Sequence, residues 1–386
     1  MNTAASRLPN LRKNQQSTRI AFFIAGFVMA AWAPMVPYAK LRADLTDGAL
    51  GLLLLCLGAG SLLAMPISGS MVAKRGCKPV IVGATLLATA TFPLLAFLSA
   101  PALLAVALFC FGAGVGMVDC TMNTQAIIVE REGRKPLMSG FHGLFSLGGI
   151  VGAAFVSALL ASGLDLLLTA GVVVAIVLVM LIWATPNLLT SAGDSKTVRF
   201  ALPHGLIVLI GLVCFASFLA EGAMLDWSAV ILVDTQHIAS EHAGIGYAAF
   251  AVTMTIGRFT GDQLVTRLGP KTTVIYGFLL SALGVLLGVV SPHWAGSIAG
   301  FALVGLGCAN IAPVMYTQIG RQKVMPESLA VPAVSMMGYA GILIGPAFIG
   351  FVAHLSSLIE AFALVASLQI VSVALALRIF KQQQHD

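Results

Sequence analysis

The chain has 386 residues, of which 59% are hydrophobic and only 9% charged, with a formal net charge of +6 and a mean hydropathy of +0.98. A water-soluble domain carries roughly a quarter of its residues as Asp, Glu, Lys and Arg. This composition excludes a soluble globular domain and makes lipid the expected solvent for most of the molecular surface.

A membrane-crossing helix needs about 20 mostly apolar residues. Read from the N-terminus, residues 1–19 are polar and basic, with Arg7, Arg12, Lys13 and Arg19, and are expected to form a cytoplasmic tail, not a cleaved leader. Twelve apolar runs follow, at 20–38, 48–72, 80–99, 102–128, 138–161 and 164–184, then 205–230, 243–265, 272–291, 295–318, 329–353 and 358–379. The longest break lies at the midpoint. We therefore expect a six-helix bundle over 20–185, a cytoplasmic linker over 186–204 with Asp194, Lys196 and Arg199, a second bundle over 205–380, and a short cytoplasmic tail at 381–386. The predicted fold is an all-α membrane protein with twelve transmembrane helices. Six cysteines fall in or beside apolar runs without metal-ligand spacing, so neither disulfides nor a metal site is expected.

Lys and Arg concentrate in loops on the cytoplasmic side of a membrane. Alternate loops are basic here: Lys74, Arg75 and Lys78, then Arg131, Arg134 and Lys135, then Lys196 and Arg199, Arg267 and Lys271, Arg321 and Lys323, and Arg378 and Lys381. The opposite loops hold Lys40 and Arg42 with the acids Asp44, Asp47, Asp165, Asp234, Glu241 and Glu360. Both termini are expected in the cytoplasm, with the chain in a bacterial-type inner membrane. The net positive charge follows from this asymmetry and gives no reason to expect a nucleic-acid partner.

An internal repeat is written into the chain at an offset of half its length. Gly51 matches Gly244; Lys74, Gly76 and Lys78 match Arg267, Gly269 and Lys271; Gly112 and Gly114 match Gly305 and Gly307. Thr124-Gln125 matches Thr317-Gln318, and Gly148 and Gly152 match Gly341 and Gly345. Two six-helix halves in the same orientation is the parallel repeat seen in one large class of secondary transporters.

The segment Gly69 to Lys78 resembles the G-x-x-x-D-R-x-G-R-K signature of the major facilitator superfamily. Gly69, Lys74, Gly76 and Lys78 fit, and Ala73 stands at the acidic position. The second copy keeps Arg267, Gly269 and Lys271, with Thr266 at that position. The resemblance implies a major facilitator fold in which these residues, with Arg258 and Asp262, form a cytoplasmic gate; Arg258 and Asp262, one turn apart, are expected to pair. Within the superfamily the chain looks like the YbjJ-like group. The residues that carry this are Val129-Glu130-Arg131-Glu132, His142-Gly143-Leu144-Phe145-Ser146-Leu147-Gly148, Ala220-Glu221-Gly222 with Asp226-Trp227, and Gly257-Arg258-Phe259-Thr260-Gly261. Asp119-x-x-x-Asn123 is similar to the acid–Asn pair of the fucose–proton symporters, whose acid helps bind sugar and proton.

Ionisable side chains within a span cost several kcal/mol, roughly +2.5–3.5 for Asp on insertion scales, unless a cavity or a partner receives them. The resemblance places the first, fourth, seventh and tenth runs along the central pathway, with Asp119 in the fourth and Glu221 in the seventh. A carboxylate shielded from water can load and release a proton near neutral pH. Asp119, Glu221 and His142 are therefore the candidate proton-coupling groups. The bland readings are a buried hydrogen bond for Asp119, capping of a bend at Gly222 for Glu221, and a packing histidine near the cytoplasmic face. Asp226-Trp227 reads as an outer contact or an interfacial anchor. Trp32, before Pro34, is a stacking surface for a ring or sugar, or packing beside a kink. Asn123, Gln125, Asn310, Tyr316 and Gln318 supply neutral hydrogen-bonding groups, and with Trp32, Asp119 and Glu221 they make up the candidate substrate ligands.

The expected function is secondary transport of a small organic solute by alternating access, as proton-coupled symport of a neutral polar solute such as a sugar, a polyol or a vitamin like riboflavin. Gly148-Gly149 stands where drug antiporters carry Gly-Pro, and the pathway runs show no Lys or Arg for an anion. Efflux of amphiphilic or cationic drugs is the alternative, and a non-transporting membrane sensor is the alternative of another class. An enzyme is not expected, since Asp119 and His142 lack a nucleophile or metal set. No P-loop for ATP is present. No cofactor is expected, and the partners are the lipid bilayer, the solute and protons, with a monomeric chain.

Overall fold

The computed structural model describes residues 10–191, 202–239 and 242–383, so parts of both expected tails and of the linker lie outside the described residues, as do Arg7, Asp194, Lys196, Arg199 and Glu241. The described residues form fourteen α-helices and two short 3-10 turns, with no strand among them. In lipid each backbone polar group must be satisfied within its own segment or a closed sheet, and long apolar runs without competing polar groups satisfy it as helix.

The first sequence half contains α1 (Leu11–Ala31), α2 (Val36–Arg42), α3 (Asp47–Arg75), α4 (Cys77–Phe97), α5 (Pro101–Gly133), α6 (Met138–Ala161) and α7 (Leu166–Ala184). The second contains α8 (Leu206–Asp234), α9 (Ile245–Leu268), α10 (Pro270–Val290), α11 (Trp294–Cys308), α12 (Ile311–Ile319), α13 (Glu327–Leu355) and α14 (Leu358–Gln382). Helix starts follow local chemistry. Thr46, Asp165 and Ser357 accept first-turn N–H groups, and Pro101 and Pro270 open helices where no N–H is needed.

Two expected runs differ from single helices. The first begins earlier, at Leu11, and is broken by a 3-10 turn at Ala33–Met35, where Pro34 and Pro37 remove N–H donors. The run at 295–318 breaks between Cys308 and Ile311, where the Asn310 side chain donates to the Gly257 carbonyl at 3.0 Å. Eleven helical segments are long and apolar enough to cross a membrane among the described residues. The eighth expected run, 243–265, appears as α9 and falls outside that set; Arg258, Asp262 and Arg267 make it the more polar one.

The chain divides into two compact units. One comprises 1–135, 144–201 and 326–332; the other comprises 136–143, 202–325 and 333–386. Each has its own apolar core, around Phe27, Met35, Phe92 and Phe111 in the first and around Met224, Phe301, Val304 and Phe362 in the second. Within the first, α5 packs on α3, α4 and α1, and α7 on α4 and α1; within the second, α11 packs on α9, α10 and α8, and α14 on α10 and α8.

The repeat is visible in single contacts. A Cβ on Gly112 would lie 2.0 Å from the Leu57 carbonyl oxygen, and one on Gly305 2.3 Å from that of Phe250. A Cβ on Gly114 would meet Ala84 O and Ala88 N at 2.9 and 2.8 Å, and one on Gly307 would meet Gly277 O and Ser281 N, both at 2.6 Å. Every partner is displaced by the same offset as the glycines themselves. These glycines exist because two helix backbones touch. Gly76 and Gly269 are a matched pair of another kind: both have φ +80°, ending one helix and opening the next with a turn that a side chain disfavours.

This contact makes a direct test. Gly112→Ala and Gly305→Ala should each destabilise by about 1–3 kcal/mol, because backbone, not a flexible side chain, must give way. Gly171→Ala, with nothing within 4 Å of its Cβ position, is the neutral control. Thermal unfolding in detergent reads the difference; equal midpoints for all three would show that the close approach is unimportant.

Candidate functional site

Asp119 lies in the middle of α5, the 33-residue helix, roughly 27 Å from its start and 21 Å from its end at about 1.5 Å per residue. It is 8% exposed. No hydrogen bond or ion pair from any described residue reaches its carboxylate. Asn123 sits one turn on, fully buried, and its amide donates to the Asp119 main-chain carbonyl at 2.9 Å. The two share a face, and this bond of the amide goes to the backbone.

Trp32 ends the first helix at the break before Pro34. Its ring is 95% buried, yet its indole N–H has no acceptor among the described residues. A buried donor without a partner costs about 1–3 kcal/mol, so something outside the described protein groups should receive it.

Gln125 has a different part. It is fully buried; its amide nitrogen donates to Thr18 Oγ1 at 2.9 Å and its oxygen accepts from the Leu189 N–H at 3.0 Å. Asn14 donates to the Asn187 carbonyl at 2.8 Å, and the Lys78 N–H to that of Leu189 at 2.7 Å. Together these bonds tie α1, α4 and α5 to the segment after α7. Its repeat partner Gln318 is equally buried, but among the described residues its oxygen has no donor, and its nitrogen reaches only the Val314 carbonyl, at 3.5 Å.

In the second unit Glu221 of α8 faces Arg258 of α9, with Oε2 3.6 Å from a guanidinium nitrogen; Ser217 Oγ lies 3.5 Å from the other oxygen. The Asp262 carboxylate accepts from the Ser139 and Gly140 N–H groups, both at 3.0 Å, and so caps the start of α6. An anion there suits the exposed N–H groups and the positive end of the helix dipole. The His142 ring lies 5.7 Å from that of Tyr316, whose hydroxyl is 2.6 Å from Ser335 Oγ. The Asn310 amide nitrogen donates to the Gly257 carbonyl at 3.0 Å, and its buried oxygen has no hydrogen-bond partner among the described residues.

Among the signature residues, a Cβ on Gly69 would meet the Ser328 carbonyl at 2.1 Å, and one on Gly76 the Thr190 carbonyl at 2.1 Å. Positions 69 and 262 are repeat partners, and each meets the first turn of a helix from the other half of the sequence, α13 for Gly69 and α6 for Asp262. Thr266, at the acidic position of the second copy, donates to the Asp262 carbonyl at 2.7 Å. Lys74, Arg267 and Lys271 are exposed, and Lys78 is partly so. Sequence reasoning missed the ion pair of Arg131 with Glu327. Arg131 was visible in its motif, but nothing local pointed to an acid so far along the chain.

A family model described as Major Facilitator Superfamily matches residues 208–386. The chain is 49% identical over 363 residues to an uncharacterised MFS-type transporter of Yersinia pestis, covering 94% of each. It is 30% identical to the membrane protein MosC of Rhizobium meliloti over 339 residues, covering 86% of this chain and 82% of that one. Among solved structures, the transporter FucP in its outward conformation superposes with a TM-score of 0.80 at 18% identity, covering 95% of this chain and 98% of its own. The human organic anion transporter MFSD10 gives 0.77 at 12%, covering 96% and 100%. Those two likenesses show the fold.

Proposed function

We propose that this chain, which belongs to the major facilitator superfamily and is a transporter of that type, moves a small neutral polar solute by alternating access with a proton carried at Asp119. The observation that supports it most is the Asp119 carboxylate, held mid-helix without a partner among the described residues. Burying an uncompensated acid is costly, and a structural acid would have been given a donor or a counter-charge, as Glu221 and Asp262 were. An acid left open can exchange its proton with whatever enters beside it.

The solute class is drawn from the first unit, where Trp32 offers a buried donor and Asp119 a carboxylate, neither with a partner among the described residues. Hydroxyl groups both donate and accept, so a sugar, a polyol or a hydroxylated ring compound suits both. Arg258 is engaged by Glu221 and does not offer an anion a ready cation. The fucose–proton symporter FucP has a matching fold. Gln125 drops out of the ligand set, because protein groups hold both ends of its amide. We place twelve spans in a bacterial inner membrane, α9 among them, with both termini in the cytoplasm and the monomer as the working unit.

The test is thermal stabilisation of the purified protein by a panel of sugars, polyols, ring-containing vitamins and cationic amphiphiles. A ligand that binds only the folded state raises stability with the ratio of its concentration to its Kd. The expected result is stabilisation by a hydroxylated neutral solute, weakened about 2- to 12-fold in Trp32→Phe, which loses one hydrogen bond of about 0.5–1.5 kcal/mol. Stabilisation by cationic amphiphiles alone would replace this reading with drug efflux. Binding without flux in liposomes would replace it with a sensor.

A further inference from the structure

The water-facing end of α1 carries a feature that solute transport does not use. Gln16, Arg19 and Phe23 follow one another at three and four residues, a single helical stripe. They line an open groove of about 480 Å³, together with Leu144 of α6 and Met180 and Trp183 of α7. All of these residues belong to the first unit. Arg12 continues the stripe one turn beyond Gln16 and is exposed.

The groove is graded along its length. Asn14 donates to the Asn187 carbonyl, so the start of α1 lies beside the end of α7, and their polar ends coincide. Gln16 and Arg19 stand at that end, and Phe23, Leu144 and Met180 form apolar walls further in. The Trp183 ring is 71% exposed at the same level as the polar groups, the depth at which tryptophan anchors to the membrane interface. No acid among the described residues pairs with Arg19.

We infer that this groove is a binding site for an anionic glycerophospholipid, with the phosphate at Arg19 and Gln16 and an acyl chain along Phe23, Leu144 and Met180. An unneutralised arginine above an apolar slot, on helices that cross a membrane, matches an amphiphile with a negative head and a hydrocarbon tail. The bilayer supplies that ligand at high concentration. A basic pocket between spanning helices recognises such headgroups by charge, and arginine's fork of donors suits phosphate oxygens. A neutral or zwitterionic lipid fills the slot but gains nothing from Arg19.

The test uses the full chain in nanodiscs of phosphatidylcholine containing a small fraction of lipid with brominated tails, which quench nearby tryptophan. The Trp183 signal is the difference between wild type and Trp183→Phe. Brominated phosphatidylglycerol should quench it at about five-fold lower mole fraction than brominated phosphatidylcholine, the ratio expected for one cation near the surface. Arg19→Gln should remove the preference, and Arg19→Lys should keep most of it. Equal quenching by the two lipids in wild type would leave only unselective boundary lipid and overturn the site. Retention of the preference in Arg19→Gln would overturn the assignment of the headgroup to Arg19.

Discussion

Asp119→Asn stops solute-driven proton entry into liposomes and leaves solute binding and the fold in place. The substitution keeps size and shape and removes the one property that proton coupling needs, a carboxylate that can be charged or neutral. Its effect on stability should be small, because no described protein group bonds that carboxylate and none is orphaned when it goes. The measurement is the fluorescence of a pH-sensitive dye inside proteoliposomes after addition of a stabilising solute. In wild type the interior acidifies; in the variant the rate falls to that of protein-free liposomes. The separation matters, since a protein that merely unfolds loses both binding and flux. A variant that still acidifies the interior at the wild-type rate would move the proton site to Glu221 and return Asp119 to packing. The dependence on pH has a clear sense: proton-driven uptake should grow as the outside becomes more acidic, and Asp119→Asn should flatten that dependence.

Arg258→Met should be among the most damaging single substitutions in the second unit, and adding Glu221→Gln should recover most of the loss. Glu221 and Arg258 are both largely buried and face each other at 3.6 Å. Removing one member of a buried ion pair leaves an uncompensated charge and costs about 3–5 kcal/mol, whereas replacing both by neutral groups of similar volume is often close to neutral. A double-mutant cycle on thermal midpoints isolates the coupling. Recovery in the double variant shows that the pair is a matched structural charge. If the double variant is as unstable as Arg258→Met, the arginine acts through other groups. If instead Arg258→Met is stable but loses flux, the pair belongs to the transport cycle and the division of labour between the two acids must be redrawn.

The apolar runs, the half-length repeat and the short roster of ionisable groups were legible in the chain because each records a one-dimensional constraint. Lipid demands about 20 apolar residues for each crossing, a repeated bundle demands glycine at the same offset in both copies, and the cost of burying charge makes the few intramembrane acids stand out. The glycine repeat shows this most directly. Gly112 and Gly305, matched in the sequence, meet backbone carbonyls that are matched by the same offset. The partners of the polar groups were not legible. Gln125 and Gln318 are equivalent in sequence, yet one is held at both ends and the other keeps an unmatched oxygen. Asp262 and Arg258 sit one turn apart, and the arginine faces Glu221 on another helix while the aspartate caps α6. A hydrogen bond or ion pair is decided by atoms within about 3–4 Å, and those atoms come from helices whose sequence separation carries no signal. The sequence by itself determined which segments lie in lipid and which side chains would be costly there. Only the tertiary structure decided which of those costs are met within the protein and that the one at Asp119 is left open.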